Sequence, residues 1–80
     1  MIFVDNMRFP FGRMKMCHMW TNENVAELHE FASKIGLRRR WFQDDPRLPH
    51  YDVCLSIRKK AIELGAIEVS ARDMVKFMKK

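Results

Sequence analysis

Two amphipathic stripes, each closed by a glycine and followed by a short apolar run, constrain this chain more than any other feature. Val25, Leu28, Phe31, Ala32 and Ile35 recur at helical spacing on one face, and Gly36 supplies the left-handed stop. Thr21 or Asn22 can cap that helix, Glu23 adds negative charge to its first turn, and His29 flanks the stripe. Val53, Cys54, Ile57, Ala61 and Leu64 repeat the pattern, with Asp52 as the cap and Gly65 as the stop. A third helix opens at Ser70-Ala71-Arg72-Asp73, a capping box with Asp in place of the usual Glu or Gln. It carries Met74, Val75, Phe77 and Met78.

The intervening segments read as strands. Ile2-Phe3-Val4 is a buried run that Asp5 closes, and Asn6 to Gly12, with Pro10 and Gly12, is a loop. Met14 to Trp20 alternates, setting Met14, Met16 and His18 on one face and Lys15, Cys17 and Met19 on the other. Arg39 to Phe42 and Ala66 to Val69 add two strands, separated by a polar loop from Gln43 to Pro49 and by the second helix. The expected fold is α/β: one small domain over residues 1–80, with a mixed, mostly parallel sheet of about four strands and about three helices. Crossovers would be right-handed. The second strand would be antiparallel, because its connection is shorter than the dozen or so residues a parallel crossover needs.

Composition narrows the class. A chain of 80 residues buries only about 60–65% of its unfolded surface, so most large apolar side chains belong to the core. Seven Met and six Phe suit such a core, Met as filler of irregular gaps. A hydrophobic fraction of 48% excludes disorder, and the apolar runs are too short for a membrane span. Cys17 and Cys54 lie in separate segments and make no disulfide framework. No secretory signal is expected, since Met1-Ile2-Phe3-Val4 runs straight into Asp5, and the expected location is the cytoplasm. The net charge of +5 is grouped at Arg38-Arg39-Arg40, Arg58-Lys59-Lys60 and Lys79-Lys80. Such clusters attract polyanions, although a solvated face accounts for most of them.

Chemistry concentrates at strand ends. In open α/β sheets ligands bind at the carboxyl ends of the parallel strands. Asp5 closes the first strand, Gln43 and Asp44 the third, Ser70 the last, and His50-Tyr51-Asp52 leaves the third, so these residues are expected on one rim. Asp5, His18, His50 and Asp52 offer the mixed oxygen and nitrogen ligands of a divalent metal, the cofactor such a set would take. Asp5, His50 and Asp52 are the catalytic candidates, and Arg8 has the planar fork that suits a phosphate or carboxylate. Each also has a structural role: Asp52 as a cap, Asp5 paired with Arg8 or Arg39, Tyr51 as an aromatic lid whose hydroxyl reaches water. The chain has no His-x-x-x-His pair, Gly-rich phosphate loop or nucleophile motif.

A longer pattern spans nearly the whole chain. Val4-Asp5, Met7-Arg8, Cys17-His18-Met19, Glu27-Leu28-His29-Glu30-Phe31-Ala32, Gly36, Arg39 and Phe42 are followed by His50-Tyr51-Asp52-Val53, Ala61, Gly65-Ala66 and Val69-Ser70. Together they resemble a family known as domain of unknown function 4031, seen in bacteria and their phages. The chain departs from that pattern at Asp45 to Pro49, where similar sequences run almost directly from the aromatic strand into His-Tyr-Asp. The resemblance implies a cytoplasmic single domain and a common polar set, and brings no assigned activity.

Two functions follow. One is a binding or regulatory module that engages nucleic acid or a partner protein through Arg8, Arg38, Arg39, Arg40, Trp41 and Tyr51, with Trp20 and Phe42 as further aromatic surfaces. Alternation along the strand points either Trp41 or Phe42 inward. The other is a small metal-assisted hydrolase of phosphoesters centred on Asp5, His18, His50 and Asp52, for which a dimer would supply the second wall of a pocket. The module requires fewer coincidences and is the expected function, without a membrane role.

Overall fold

Polar–apolar alternation in the two longest strands decides the architecture. The computed structural model describes residues 1–78; the basic pair Lys79-Lys80 lies outside the described residues. The sheet comprises β1 (Ile2–Val4), β2 (Phe9–Phe11), β3 (Met14–Thr21), β4 (Phe42–Gln43), β5 (His50–Cys54) and β6 (Ile67–Glu68). Its order is β4-β5-β3-β1-β6, with β2 paired to β3 beyond β1. The expected mixed α/β domain is therefore present, but it holds six strands and is mostly antiparallel: among the described residues only β1 and β6 run parallel. Strands buried on both faces read as continuous apolar runs, as β1 does, whereas β3 and β5 alternate like antiparallel strands with two different faces.

One face of the sheet carries α1 (Val25–Lys34) and α2 (Leu55–Glu63). Val4, Cys17, Met19, Tyr51 and Val53 meet Leu28, Ala32 and Ala61 there in the larger core. On the opposite face Phe3, Trp20, Leu48 and Met74 form a smaller cluster, with Phe77 packed against it. It is closed by the short α3 (Ala71–Met74) and the 3₁₀ turn that follows it. No helix among the described residues is long and apolar enough to cross a membrane.

Several boundaries differ from expectation. His50–Cys54 is a strand, so Asp52 caps nothing; the second helix starts at Leu55 with Cys54 at its N-cap position. Burial of Tyr51 and Val53 on one face follows period two, which overrides the helical stripe read through Val53 and Cys54. Leu64, at that helix's C-cap, is 55% exposed. Arg39–Trp41 forms a 3₁₀ turn before the two-residue β4. Asn24, not Thr21 or Asn22, caps α1, its side chain accepting from the Glu27 amide. The segment read as a loop contains β2, joined to β3 by Gly12-Arg13, with Gly12 at φ 61° in the first central position of a two-residue hairpin turn.

Candidate metal centre

β1 and β2 lie along the same edge of β3, because β5 occupies the other edge. Val4 pairs with Met19 and Phe9 with Met16, so residues 5–8 bulge out opposite Cys17 and His18. Within this bulge Arg8 takes the left-handed conformation, φ 54°, and Asp5, just past the end of β1, folds against β3. The Asp5 amide donates to the His18 carbonyl at 3.1 Å. In return its Oδ1 accepts the His18 backbone N–H at 2.9 Å and the Met7 N–H at 3.4 Å. The carboxylate thus replaces a missing ladder partner, and its Oδ2 meets His18 Nδ1 at 2.7 Å.

Strand register brings the remaining groups beside His18. His18 pairs directly with Asp52 across β3 and β5, and His50 lies two residues before Asp52, so all three face the same way. One ligand atom from each lies within 4.8 Å of those of the other two. His50 Nε2 is 3.3 Å from Asp52 Oδ1, while its Nδ1 donates to the Leu48 carbonyl at 2.7 Å. The two imidazoles meet edge to face at 5.0 Å, and the Phe9 ring stacks on His18 from the hairpin side, also at 5.0 Å.

These bonds fix the protons. Burial pushes the fully buried Asp5 carboxyl up, but the His18 ring and backbone bonds, the His18 charge and the Met7 amide together outweigh it, leaving the pKa below its ordinary 3.8. At neutral pH Asp5 is therefore an acceptor only, and His18 Nδ1 carries the hydrogen it shares with it. The Leu48 carbonyl can likewise only accept, so His50 Nδ1 is also the protonated nitrogen. In the neutral tautomers both rings have their free lone pair on Nε2. Burial pushes His50 down; the Asp52 hydrogen bond, the Leu48 carbonyl and the charges of Asp52 and Asp45 win, and its pKa rises above 6.5.

The expected rim is thus partly assembled. His18, His50 and Asp52 converge on one sheet face, and Asp5 joins them through His18 rather than as an open ligand, since both its oxygens are engaged. Ser70 caps α3 at the far side of β1, and Gln43, which ends β4, and Asp44 after it are exposed. Arg8 is exposed and lines a separate open cleft with Asn6, Arg58, Glu68 and Ser70. Arg58 is held by that wall: its Nε donates to the Asp5 carbonyl at 2.7 Å and its guanidinium meets Glu68 at 2.9 Å. Arg38, Arg39, Arg40 and Trp41 are exposed in the 3₁₀ turn, Trp41 by 45%. Tyr51, expected to reach water and stack on a partner, is instead fully buried on the other face. Its hydroxyl meets His29 Nδ1 at 2.7 Å. Neither the Leu48 carbonyl nor the Phe9 ring is legible in the sequence as a site partner, since every residue has a carbonyl and Pro10 and Gly12 give the hairpin the signature of a loop.

The chain belongs to the family described as "Protein of unknown function (DUF4031)", whose model matches residues 2–80. No curated protein and no solved structure matches it.

Proposed function

We propose that this protein is a small metal-assisted hydrolase of phosphoesters, acting on a nucleotide or nucleic acid. The observation that carries the reading is the convergence of two imidazoles and a carboxylate, with each imidazole's Nδ1 already committed to an acceptor. Carboxylate- and carbonyl-oriented histidines are the usual outer support of a metal site. A divalent ion there would polarise a phosphoryl oxygen and lower the pKa of a water. Held by His18, His50 and Asp52, the ion would supply a hydroxide that could add to phosphorus as the bond to the leaving oxygen broke, with the water's proton ending on that oxygen. Arg8 faces the separate cleft beyond the Asp5 bulge and is no part of this centre, so it is not assigned to the reacting phosphate.

Turnover of a simple phosphodiester and of single-stranded nucleic acid, with and without chelator, tests the proposal. Chelator-sensitive turnover that disappears in His50→Ala supports it; absence of turnover with every divalent ion refutes it. The binding-module reading keeps one specific support, the exposed Arg38-Arg39-Arg40-Trp41 turn. It loses Tyr51 to the core and Arg58 to its bonds with Asp5 and Glu68. Nucleic-acid affinity that weakens steeply with salt and falls in Arg38→Glu or Arg40→Glu would favour the module.

A further inference from the structure

We infer that the site is specific for a single borderline divalent transition ion, of the zinc or ferrous class, held by Nε2 of His18, Nε2 of His50 and a carboxylate oxygen of Asp52. This rests on the hydrolase reading only for its use, not for its chemistry. Imidazole nitrogen suits zinc, iron, nickel and copper, whereas magnesium and calcium demand several oxygen ligands. Asp52 supplies the carboxylate of the converging group, and the Asp5 oxygens are consumed by His18 and Met7. Three protein donors leave at least one position open, as in catalytic rather than structural sites.

The dimensions fit. Two ligands at about 2.0–2.1 Å from a tetrahedral ion lie about 3.3 Å apart. His50 Nε2 and Asp52 Oδ1 already stand at 3.3 Å. The whole group spans no more than 4.8 Å, so contraction by about 1.5 Å at most would complete it, within reach of small side-chain rotations. Backbone movement is unnecessary because His18 and Asp52 are register partners in one antiparallel pair. Access exists as well: the Asp52 side chain is 31% exposed and that of His50 15%. Asp5 acts as a positioning residue, fixing the His18 tautomer so that the lone pair rather than the proton faces the site.

Cobalt(II) is the probe, titrated into the full chain and followed by its visible ligand-field bands, with Zn²⁺ and Mg²⁺ as competitors. His50→Ala and the near-isosteric Asp52→Asn are compared with wild type after circular dichroism has verified the fold. The expected result is one Co²⁺ per chain, displaced by Zn²⁺ and indifferent to excess Mg²⁺, with affinity lowered at least about 100-fold in both variants. Absence of Co²⁺ and Zn²⁺ binding, or binding that survives both substitutions, overturns the inference. Mg²⁺-dependent phosphodiester turnover without Co²⁺ bands also overturns it while leaving the hydrolase reading intact. A Co²⁺ site in a protein without turnover upholds the inference and removes the hydrolase.

Discussion

Replacing Asp5 by Asn removes one charge from a fully buried position and forces a choice at His18. The wild-type carboxylate accepts from three donors, two backbone N–H groups on Oδ1 and the His18 ring on Oδ2. An amide has only one acceptor oxygen. If that oxygen keeps the backbone donors at 2.9 and 3.4 Å, the amide NH₂ faces His18 Nδ1, which must then accept. The His18 proton moves to Nε2, the nitrogen assigned above to the metal. If the amide turns over, its NH₂ confronts two backbone donors, and each buried donor left unpaired costs about 1–3 kcal/mol. The first arrangement is cheaper, so Asp5→Asn is expected to switch the His18 tautomer.

The magnitude follows from the bonds. Hydrogen bonds to a charged group contribute about 1.5–3 kcal/mol and neutral ones about 0.5–1.5, so the close pair at 2.9 and 2.7 Å loses about 2–3 kcal/mol. Relief of the buried ion's desolvation offsets part of this, leaving a loss of about 1–2 kcal/mol and a Tm lower by roughly 5–15 °C. Metal affinity falls by about 10–100-fold or more, as when an outer-shell carboxylate is removed. Long-range proton–nitrogen correlation spectra report which ring nitrogen carries the hydrogen, and thermal melts report the stability. A variant that retains the Nδ1–H tautomer, wild-type Tm and wild-type Co²⁺ affinity would refute the account of Asp5.

Burial, and behind it the Arg39 charge, hold the His29 pKa below 6.5. The folded chain therefore takes up that proton less readily than the unfolded one; the stability is present above about pH 6.5 and is lost as pH falls through the lowered folded value. Melts between about pH 7.5 and 5.5 should show wild type losing more stability than His29→Gln, and equal losses would contradict the assignment. Leu28→Ala, at a position with 0% exposure beneath the sheet, should cost about 2–5 kcal/mol in urea unfolding. Asn24→Ala removes the side-chain acceptor at 3.0 Å from the Glu27 amide and should cost about 0.5–2 kcal/mol. Thr21→Ala, by contrast, should leave the α1 cap intact, which amide exchange at Glu27 would report.

What was legible in the sequence depended on local periodicity. The 25–35 stripe, its glycine stop, the Ser70 cap and the first strand need only neighbouring residues to declare themselves, and each is present. The second helix start was not legible because Tyr51, Val53 and Cys54 satisfy two periods at once. Helical spacing links 53, 54 and 57, strand alternation links 51 and 53, and the pairing with β3 decides in favour of the strand. That decision also reverses the sheet's direction. A helix beginning at Asp52 leaves no partner for Met16–Met19, whereas a strand at His50–Cys54 supplies one and runs antiparallel to it.

The candidate site depends on the same decision, and this is why its residues could be named before their roles could be assigned. As a helix cap, Asp52 would spend its carboxylate on a backbone amide and stand in a different geometry from His50. As a strand residue it faces the same side as His50 and lies opposite His18, so one register assembles three donors. A one-residue slip of β5 would send Tyr51 and Val53 to the polar face and His50 and Asp52 into the core. Burial of Tyr51 and Val53 opposes that slip, since each fully buried side chain contributes about 1.5–3 kcal/mol. The apolar face of β5 therefore holds the polar face in place. Substitutions there, such as Val53→Asp, should abolish metal binding through the fold, whereas Asp52→Asn should abolish it without unfolding. Comparing the two separates a site built by the register from one that forms in a disordered chain.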